Sequence, residues 1–480
     1  MGILGRISRE TQRYSSMPEM REKMAPLSGD FSRGRVSLII LRLGLPMMLA
    51  EFVHVLYNIV DRMYIGHMAE GGTLALTGLG ICFPLITLIG AFANLYSTGG
   101  ATLATIARGA KENEKAERIM GTSFSMLLLT GAVLTVLLYL TAPVTLRWLG
   151  GDDETMPAAM GYFRIYVLGS IPVLISLGMN PFISAQGFPK IGMMTVIIGA
   201  ALNIVLDPLL IYALEMGIRG AALATVIAQT ASALWVVLFL RSRKAALRLT
   251  GPHLDRSELK RIVHLGVTGF TFKVTNSITQ AIVNIMLKAW GGALSTVYVG
   301  AMSLINSLRE IMSLPNSGIV MGGQSVMSYN YGAKQYSRVS SGIRFTFLSG
   351  LAINIVMWAL VLFIPEPLIR IFTSDEQLIG TTVICSRIFF GAFPFMALQQ
   401  AGQSTFVALN YPRYALFFSL LRKIVLVAPL TLLLPNIGLG VYGVFWAELA
   451  SQVIGATACF MTMYHVIWKN MMVKEPREAC

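Results

Sequence analysis

Two carboxylates, Asp61 and Asp207, sit inside long apolar stretches, and each has polar company at helical spacing. In ALNIVLDPLLIYAL (201–214), Asn203 precedes Asp207 by four residues, so the two share one helix face. Glu51, His54, Asn58 and Asp61 are spaced by three, four and three, again one face, with Tyr57 one turn before Asp61. Thr225 and Gln229 share a third face. Carboxylate, amide and hydroxyl oxygens together suit a hard cation such as Na⁺. A buried carboxylate can instead hold a proton. An ionisable group within a membrane span costs at least about 2.5 kcal/mol, which makes each of these a functional candidate.

Plainer readings exist for each. Asp61, beside Arg62, can mark a membrane surface. His54 reads as a buried neutral imidazole with a hydrogen-bond partner. Asp207 followed by Pro208 matches the cap-and-first-turn pattern of a restarting helix. Depth favours a cluster. Counted from the outer ends of the spans at 1.5 Å per residue, Asp207 lies roughly 8 Å deep, Asp61 roughly 5 Å and Thr225 roughly 9 Å. Three segments therefore bring Asp61, Asn203, Asp207 and Thr225 to a similar level, with Glu51, His54, Tyr57, Asn58 and Gln229 in support.

The second half of the chain carries other polar stripes. Lys273, Asn276, Gln280 and Asn284 form one, and Ser303, Asn306, Glu310, Ser313 and Ser317 another. By the same count Lys273 lies roughly 24 Å deep and Glu310 roughly 21 Å, which predicts a buried ion pair able to lock or gate a cavity. Glu448 with Gln452, and Gln399, Gln400 and Gln403, add polar lining or interhelical hydrogen bonds.

The elements that must position these groups are membrane spans. The 480 residues are 55% hydrophobic and only 13% charged, against about 25% charged in soluble domains. Apolar runs near the roughly 20 residues needed to cross a bilayer recur along the whole chain. Twelve spans are predicted, at 36–64, 74–98, 119–142, 160–183, 191–212, 219–240, 262–289, 296–322, 344–364, 380–407, 413–433 and 440–468. Arg and Lys gather in the tail (1–35), in the loops after the second and eighth spans, and in the central segment 241–261. GGDDET and TSDEQ fall on the opposite side. The positive-inside rule therefore puts both termini in the cytosol, including a C-terminal tail at 469–480. The net charge of +14 encodes this orientation and does not point to nucleic acid.

The halves repeat. RGAKENEKAERI (108–119) matches YGAKQYSRVSSGI (331–343), and Arg164, Pro189 and Gly220 pair with Arg387, Pro412 and Gly443 at an offset of about 223 residues. An even number of spans per half predicts two six-helix lobes, 36–240 and 262–468, joined by the 241–261 linker and related by an axis along the membrane normal. The fold class is all-α and polytopic. A central cleft between two such lobes favours transport.

Other chemistry is absent from the sequence. It has no Walker A, HExxH or GxSxG motif, and GLGVYG (438–443) falls on the outer side, where a nucleotide loop is out of place. Cys82, Cys385, Cys459 and Cys480 form no CxxC pair or disulfide framework. Gly318 and Gly322 offer a packing face. The 27 methionines suit an adaptable apolar pocket, although membrane composition alone accounts for any one of them.

LYNIVDRMYIG, SAQGFPK, LNIVLDPLLIY, GIRGAALATVIAQ, MSYNYGAK and LLRKIVLVAPL resemble the multidrug and toxic compound extrusion (MATE) family over nearly the whole chain, from about 36 to 468. The DinF-like branch is the nearest in pattern. The resemblance implies a cation site in the N-terminal lobe made by Asp61, Asn203, Asp207 and Thr225, with Na⁺ or H⁺ between Asp61 and Asp207, and a bend of the first span at Pro46. The acids of the NorM-like branch fall on Asn276 and Gln400, so a NorM-type C-lobe Na⁺ site is not expected. The implied activity is antiport of amphipathic, mostly cationic small molecules against H⁺ or Na⁺. No cofactor and no enzymatic activity are implied. The expected setting is a monomer among lipids of a prokaryotic cytoplasmic (inner) membrane. A flippase for lipid-linked saccharides, from the same superfamily, is the alternative and would require a strongly cationic cavity. A membrane enzyme or receptor would require a catalytic constellation or a large extramembrane domain, and the sequence offers neither.

Overall fold

A computed structural model of the chain describes residues 30–68 and 72–474. Most of the expected N-terminal tail, the end of the C-terminal tail and Cys480 lie outside these residues. The first half comprises α1 (Val36–Gly66), α2 (Gly72–Gly109), α3 (Asn113–Trp148), α4 (Met156–Leu168), α5 (Ser170–Ala185), α6 (Pro189–Pro208) and α7 (Ile218–Arg241). The second comprises α8 (Arg256–Trp290), α9 (Ser295–Gly332), α10 (Tyr336–Phe363), α11 (Pro365–Arg370), α12 (Glu376–Phe389), α13 (Met396–Ala408), α14 (Pro412–Leu420), α15 (Ala428–Leu433), α16 (Tyr442–Met463) and α17 (Lys469–Lys474). Among the described residues eight helical segments are long and apolar enough to cross a membrane, and two bent pairs, α4–α5 and α12–α13, raise the number to ten. The other two expected spans are α8 and α9, of 35 and 38 residues, whose polar stripes lower their hydropathy.

Several helices run well past the apolar runs that signalled them. α9 extends to Gly332 where the hydropathy pattern stops near 322, because its last turns pack on the other half. The fourth and tenth expected spans are broken, by 58° and 49°, at equivalent places in the repeat. α6 passes Asp207 and Pro208 and loosens into a π segment, Leu209–Ala213, with no side-chain cap from Asp207. The capping explanation of Asp207 is thereby set aside. Proline lacks the N–H that would continue the α pattern, and Leu214 N–H reaches the Leu209 carbonyl five residues back (2.9 Å). α1 is continuous through Pro46.

The repeat is visible in the backbone. Lys111 and Lys334 both adopt left-handed φ (63° and 58°), as do Gly187 and Asn410 (92° and 61°) and Gly217 and Gly440 (55° and 54°), each pair 223 residues apart. The contact between halves is repeated too. Gly109 of α2 faces the Tyr329 carbonyl of α9, and Gly332 of α9 faces the Ile106 carbonyl of α2. Gly99 meets the Ile262 carbonyl of α8, mirrored by Gly322 against the Ile40 carbonyl of α1. Gly266 meets the Leu95 carbonyl, mirrored by Gly44 against that of Gly318. A Cβ at any of these glycines would overlap the facing carbonyl, so only glycine permits the approach. These contacts fall in the parts of α1, α2, α8 and α9 toward the basic end of the bundle.

That end carries further ties. Phe31, fully buried, lies under Arg108 of α2 (5.6 Å) and edge-on to Tyr329 of α9 (5.3 Å). Arg338 donates to the Phe31 and Gly34 carbonyls (2.8 Å each). The central segment is not a loose tether. Leu247 and Leu249 are buried against the first half, Leu247 N–H donates to Gln186 (2.8 Å), and Arg248 N–H donates to Glu117 (2.8 Å). Asp255 then starts α8 by accepting from Ser257 N–H (2.9 Å) and Glu258 N–H (3.3 Å). The Ser257 side-chain bond, with these two, holds the half-buried Asp255 carboxyl below the usual carboxylate range.

Candidate functional site

The sequence's polar faces converge where α1, α6 and α7 meet. Asp207 and Asn203 are almost wholly buried, and Thr225 and Asp61 nearly so. Asn203 Nδ2 donates to Asp207 Oδ1 (3.2 Å) and reaches Thr225 Oγ1 (3.5 Å). Thr225 donates its own proton to the Ala221 carbonyl (3.0 Å), so it faces Asn203 as an acceptor. The Asp61 and Asp207 carboxyls lie within hydrogen-bonding reach of one another. Both are acceptors when ionised, so the contact needs a proton or a cation between them.

Three oxygens define what is missing. Asp61 Oδ1, Asp207 Oδ2 and Asn203 Oδ1 are buried without a hydrogen-bond donor. Unpaired buried acceptors are costly. All three would be relieved by a positive species, and none by an anion. With Thr225 Oγ1 the set is all oxygen, which fits Na⁺ as well as H⁺. Among the described residues no group of three or more His, Cys, Asp or Glu side chains is placed to hold a metal ion.

The carboxyl pair adjoins a cavity of about 310 Å³. Tyr57, Asn203 and Thr225 form its wall on that side. Glu51 and His54 of α1, Gln229 of α7 and Lys273 of α8 also line it, as do Met47, Met193 and Met321. The volume sits at the lower end for a drug-sized ligand. Gln229 accepts from Ser176 of α5 (2.5 Å). Asn58 is not a cavity group, because its side chain turns back to the His54 carbonyl (2.8 Å). Sequence reasoning missed Tyr162 and Tyr166 of α4, which stack (5.9 Å) behind the site, Tyr162 against Thr225. Their only signal was i,i+4 spacing in an aromatic-rich helix.

The second half departs from expectation. Among the described residues Lys273 and Glu310 form no ion pair within 4 Å. Both are exposed, and both lie near enough to act electrostatically on His54. Depth along a helix does not specify azimuth, and each charge keeps its own exposure in the open cleft. Gln400 accepts from Asn316 of α9, a tie between helices. Asn276, Gln280 and Glu448 instead line a separate small cavity, together with Arg309 and Lys423. Pro46 stands two residues from Gly44, where α1 touches α9.

Comparison with known proteins agrees with this fold. The MatE family model matches residues 46–209 and 274–433. The multidrug export protein MepA of Staphylococcus haemolyticus is 23% identical over 439 residues, covering 90% of this chain and 94% of that protein. MepA of Staphylococcus aureus is 21% identical over 438 residues, with 90% and 95% covered. A solved outward-facing structure of a multidrug resistance MATE family transporter of the MOP superfamily superposes with a TM-score of 0.86 at 21% identity, covering 94% of this chain and 99% of that one.

Proposed function

The chain belongs to the MatE family of integral membrane transporters, and we propose that it is a secondary antiporter that expels amphipathic, mostly cationic organic molecules in exchange for H⁺ or Na⁺. The observation that carries the coupling is the trio of buried, unpartnered oxygens on Asp61, Asp207 and Asn203. The cavity beside it supplies Glu51 for a positive charge and methionines for a variable apolar body. Tyr57, Asn203 and Thr225 belong both to the cavity wall and to the carboxyl cluster, so organic guest and ion compete for shared groups. That competition is what exchange requires, since binding must favour one conformation over another.

Orientation follows from charge. The basic end faces the cytosol, which makes the glycine contacts a cytosolic seal and the described state outward-facing. The N-half site is of the DinF-like kind. Among the residues lining the main cavity Lys273 is the one lysine or arginine, which speaks against a phosphate-bearing lipid headgroup as cargo. The test is dye transport in proteoliposomes with H⁺ and Na⁺ gradients imposed separately. One of the two should drive dye against its own gradient. Dye movement indifferent to both would overturn the reading.

A further inference from the structure

The two halves share a backbone but carry opposite charge. In the first span of each half the glycine contacts fix the offset at 222 residues, which puts Lys273 at the position of Glu51. In the later spans the offset is 223, so Arg309 replaces Ile86, Lys423 replaces Ala200, Glu448 replaces Thr225 and Leu430 replaces Asp207. Arg422 and Lys423 sit on a π segment, Leu421–Val427, the kind of helix distortion found frequently at functional sites. Arg422 pairs with Glu448 (2.6 Å), and Lys423 reaches the same carboxylate oxygen (3.7 Å). Arg309, partly buried, rests over the Phe389 ring (5.8 Å) and has no ion pair among the described residues. Arg309, Lys423 and Glu448 thus line a cavity of about 40 Å³, and Arg422 is paired to the same carboxylate.

The unpaired atoms invert as well. Arg422 Nε and, one turn after Glu448, Gln452 Nε2 are buried donors without partners, where the N-half cluster leaves acceptors. We propose that Arg309 and Lys423, with Arg422 neutralising Glu448, form an anion subsite in the second half that takes the carboxylate of an amphiphilic substrate. The volume admits a carboxylate head but not a drug-sized body. One α8 stripe serves both cavities: Lys273 lines the main one, and Asn276 and Gln280, one and two turns on, line the small one. Asn306 donates to Gln280 (3.1 Å) and keeps that amide in place. A zwitterionic guest could thereby set its cation against Glu51 and its carboxylate against Arg309. The substrate assignment rests on the antiporter reading, but the anion subsite does not.

The test uses the full chain in detergent and a matched pair of xanthene dyes, one with a free carboxylate and the other its ethyl ester, followed by fluorescence anisotropy. Arg309→Gln should weaken the free-acid dye about tenfold and leave the ester within about twofold. Arg309→Lys should recover part of the loss. Equal effects on both dyes, or none, would overturn the subsite. If Arg309→Gln does not fold, acetate is titrated into the wild-type protein: it should displace the free acid and not the ester, and failure to do so overturns the proposal equally. Stabilisation by chloride with no discrimination between the dyes would mean a free inorganic anion, and would overturn the substrate assignment. A chain that discriminates the dyes in detergent but moves neither across a membrane refutes the antiporter reading alone.

Discussion

Asp207→Asn tests the coupling site most directly. Two ionised carboxylates with charge centres about 4 Å apart repel by ~4 kcal/mol at an effective dielectric of about 20, a bias of roughly a thousandfold against double ionisation. Moving a two-state equilibrium from 1:99 to 99:1 needs about 5.5 kcal/mol, so one proton shared by Asp61 and Asp207 supplies most of a conformational switch. Asparagine copies the shape of the protonated acid. It can still accept from Asn203 through Oδ1, and its new amide N–H can donate to the orphaned Asp61 Oδ1. The variant should therefore melt no lower than wild type, yet fix the site in its neutral form. In proteoliposomes, dye exchange driven by an imposed proton gradient should fall to the level seen without a gradient. Asp61→Asn combined with Asp207→Asn should lose no more than either alone, because the carboxyls act as a unit. Wild-type gradient dependence in Asp207→Asn would refute the argument. A melting point lowered by several degrees would show that the carboxylate is structural and stores no repulsion.

Other sites give separate tests. Gly332→Ala puts a methyl into the Ile106 carbonyl and should part α2 from α9, at a cost of ~1–3 kcal/mol to the closed basic end; spin labels at positions 112 and 335 should then report a longer distance, and an unchanged one would count against the seal. Phe31→Ala removes a fully buried ring, a loss of about 3 kcal/mol, and should expose Arg33 and Arg35 to trypsin at increased rate; an unchanged cleavage rate would mean the segment is held by its backbone bonds to Arg338 and Asn330. Asp255 has a folded-state carboxyl below its free value, so its contribution is present at neutral pH and lost as pH falls through that lowered value. Amide exchange at Ser257 and Glu258, corrected for the intrinsic rate, should show that protection vanish in acid, and Asp255→Ala should lack it at every pH.

What the sequence made legible was periodic and polar. Asp61, Asn203, Asp207 and Thr225 stand out because an acid or amide in an apolar run is expensive, and their three-and-four spacing fixes which face they share. The internal repeat was legible for the same reason that glycines and turn residues recur where the backbone demands them. The Lys273–Glu310 pair failed because hydropathy gives depth and no rotation about the helix axis. Arg422 and Lys423 were visible as charges in LLRKIVLVAPL, but their gathering around Glu448 depends on a π segment that no periodicity announces. Tyr162 and Tyr166 were hidden among ordinary aromatic lining, since a tyrosine costs little in a membrane helix and so carries little signal.

The proposed coupling groups all belong to one half, whereas the proposed seal lies between halves, so an event at the site needs a mechanical path. α1 is the element that touches both. It carries Asp61 at one end and the Ile40 and Gly44 contacts with α9 at the other, roughly 26 Å away along the axis at 1.5 Å per residue. Pro46 stands beside Gly44, where the missing N–H removes one ladder bond and softens the helix next to the seal. A helix continuous on both sides of such a point transmits a pull on Asp61 to that place. The mirror helix α8 touches the seal through Ile262 and Gly266 but has Val283 where α1 has Asp61, and no proline at the position of Pro46. The symmetry that builds the proposed seal is therefore broken at the groups proposed to move it, and on this reading a two-fold frame is driven from one side.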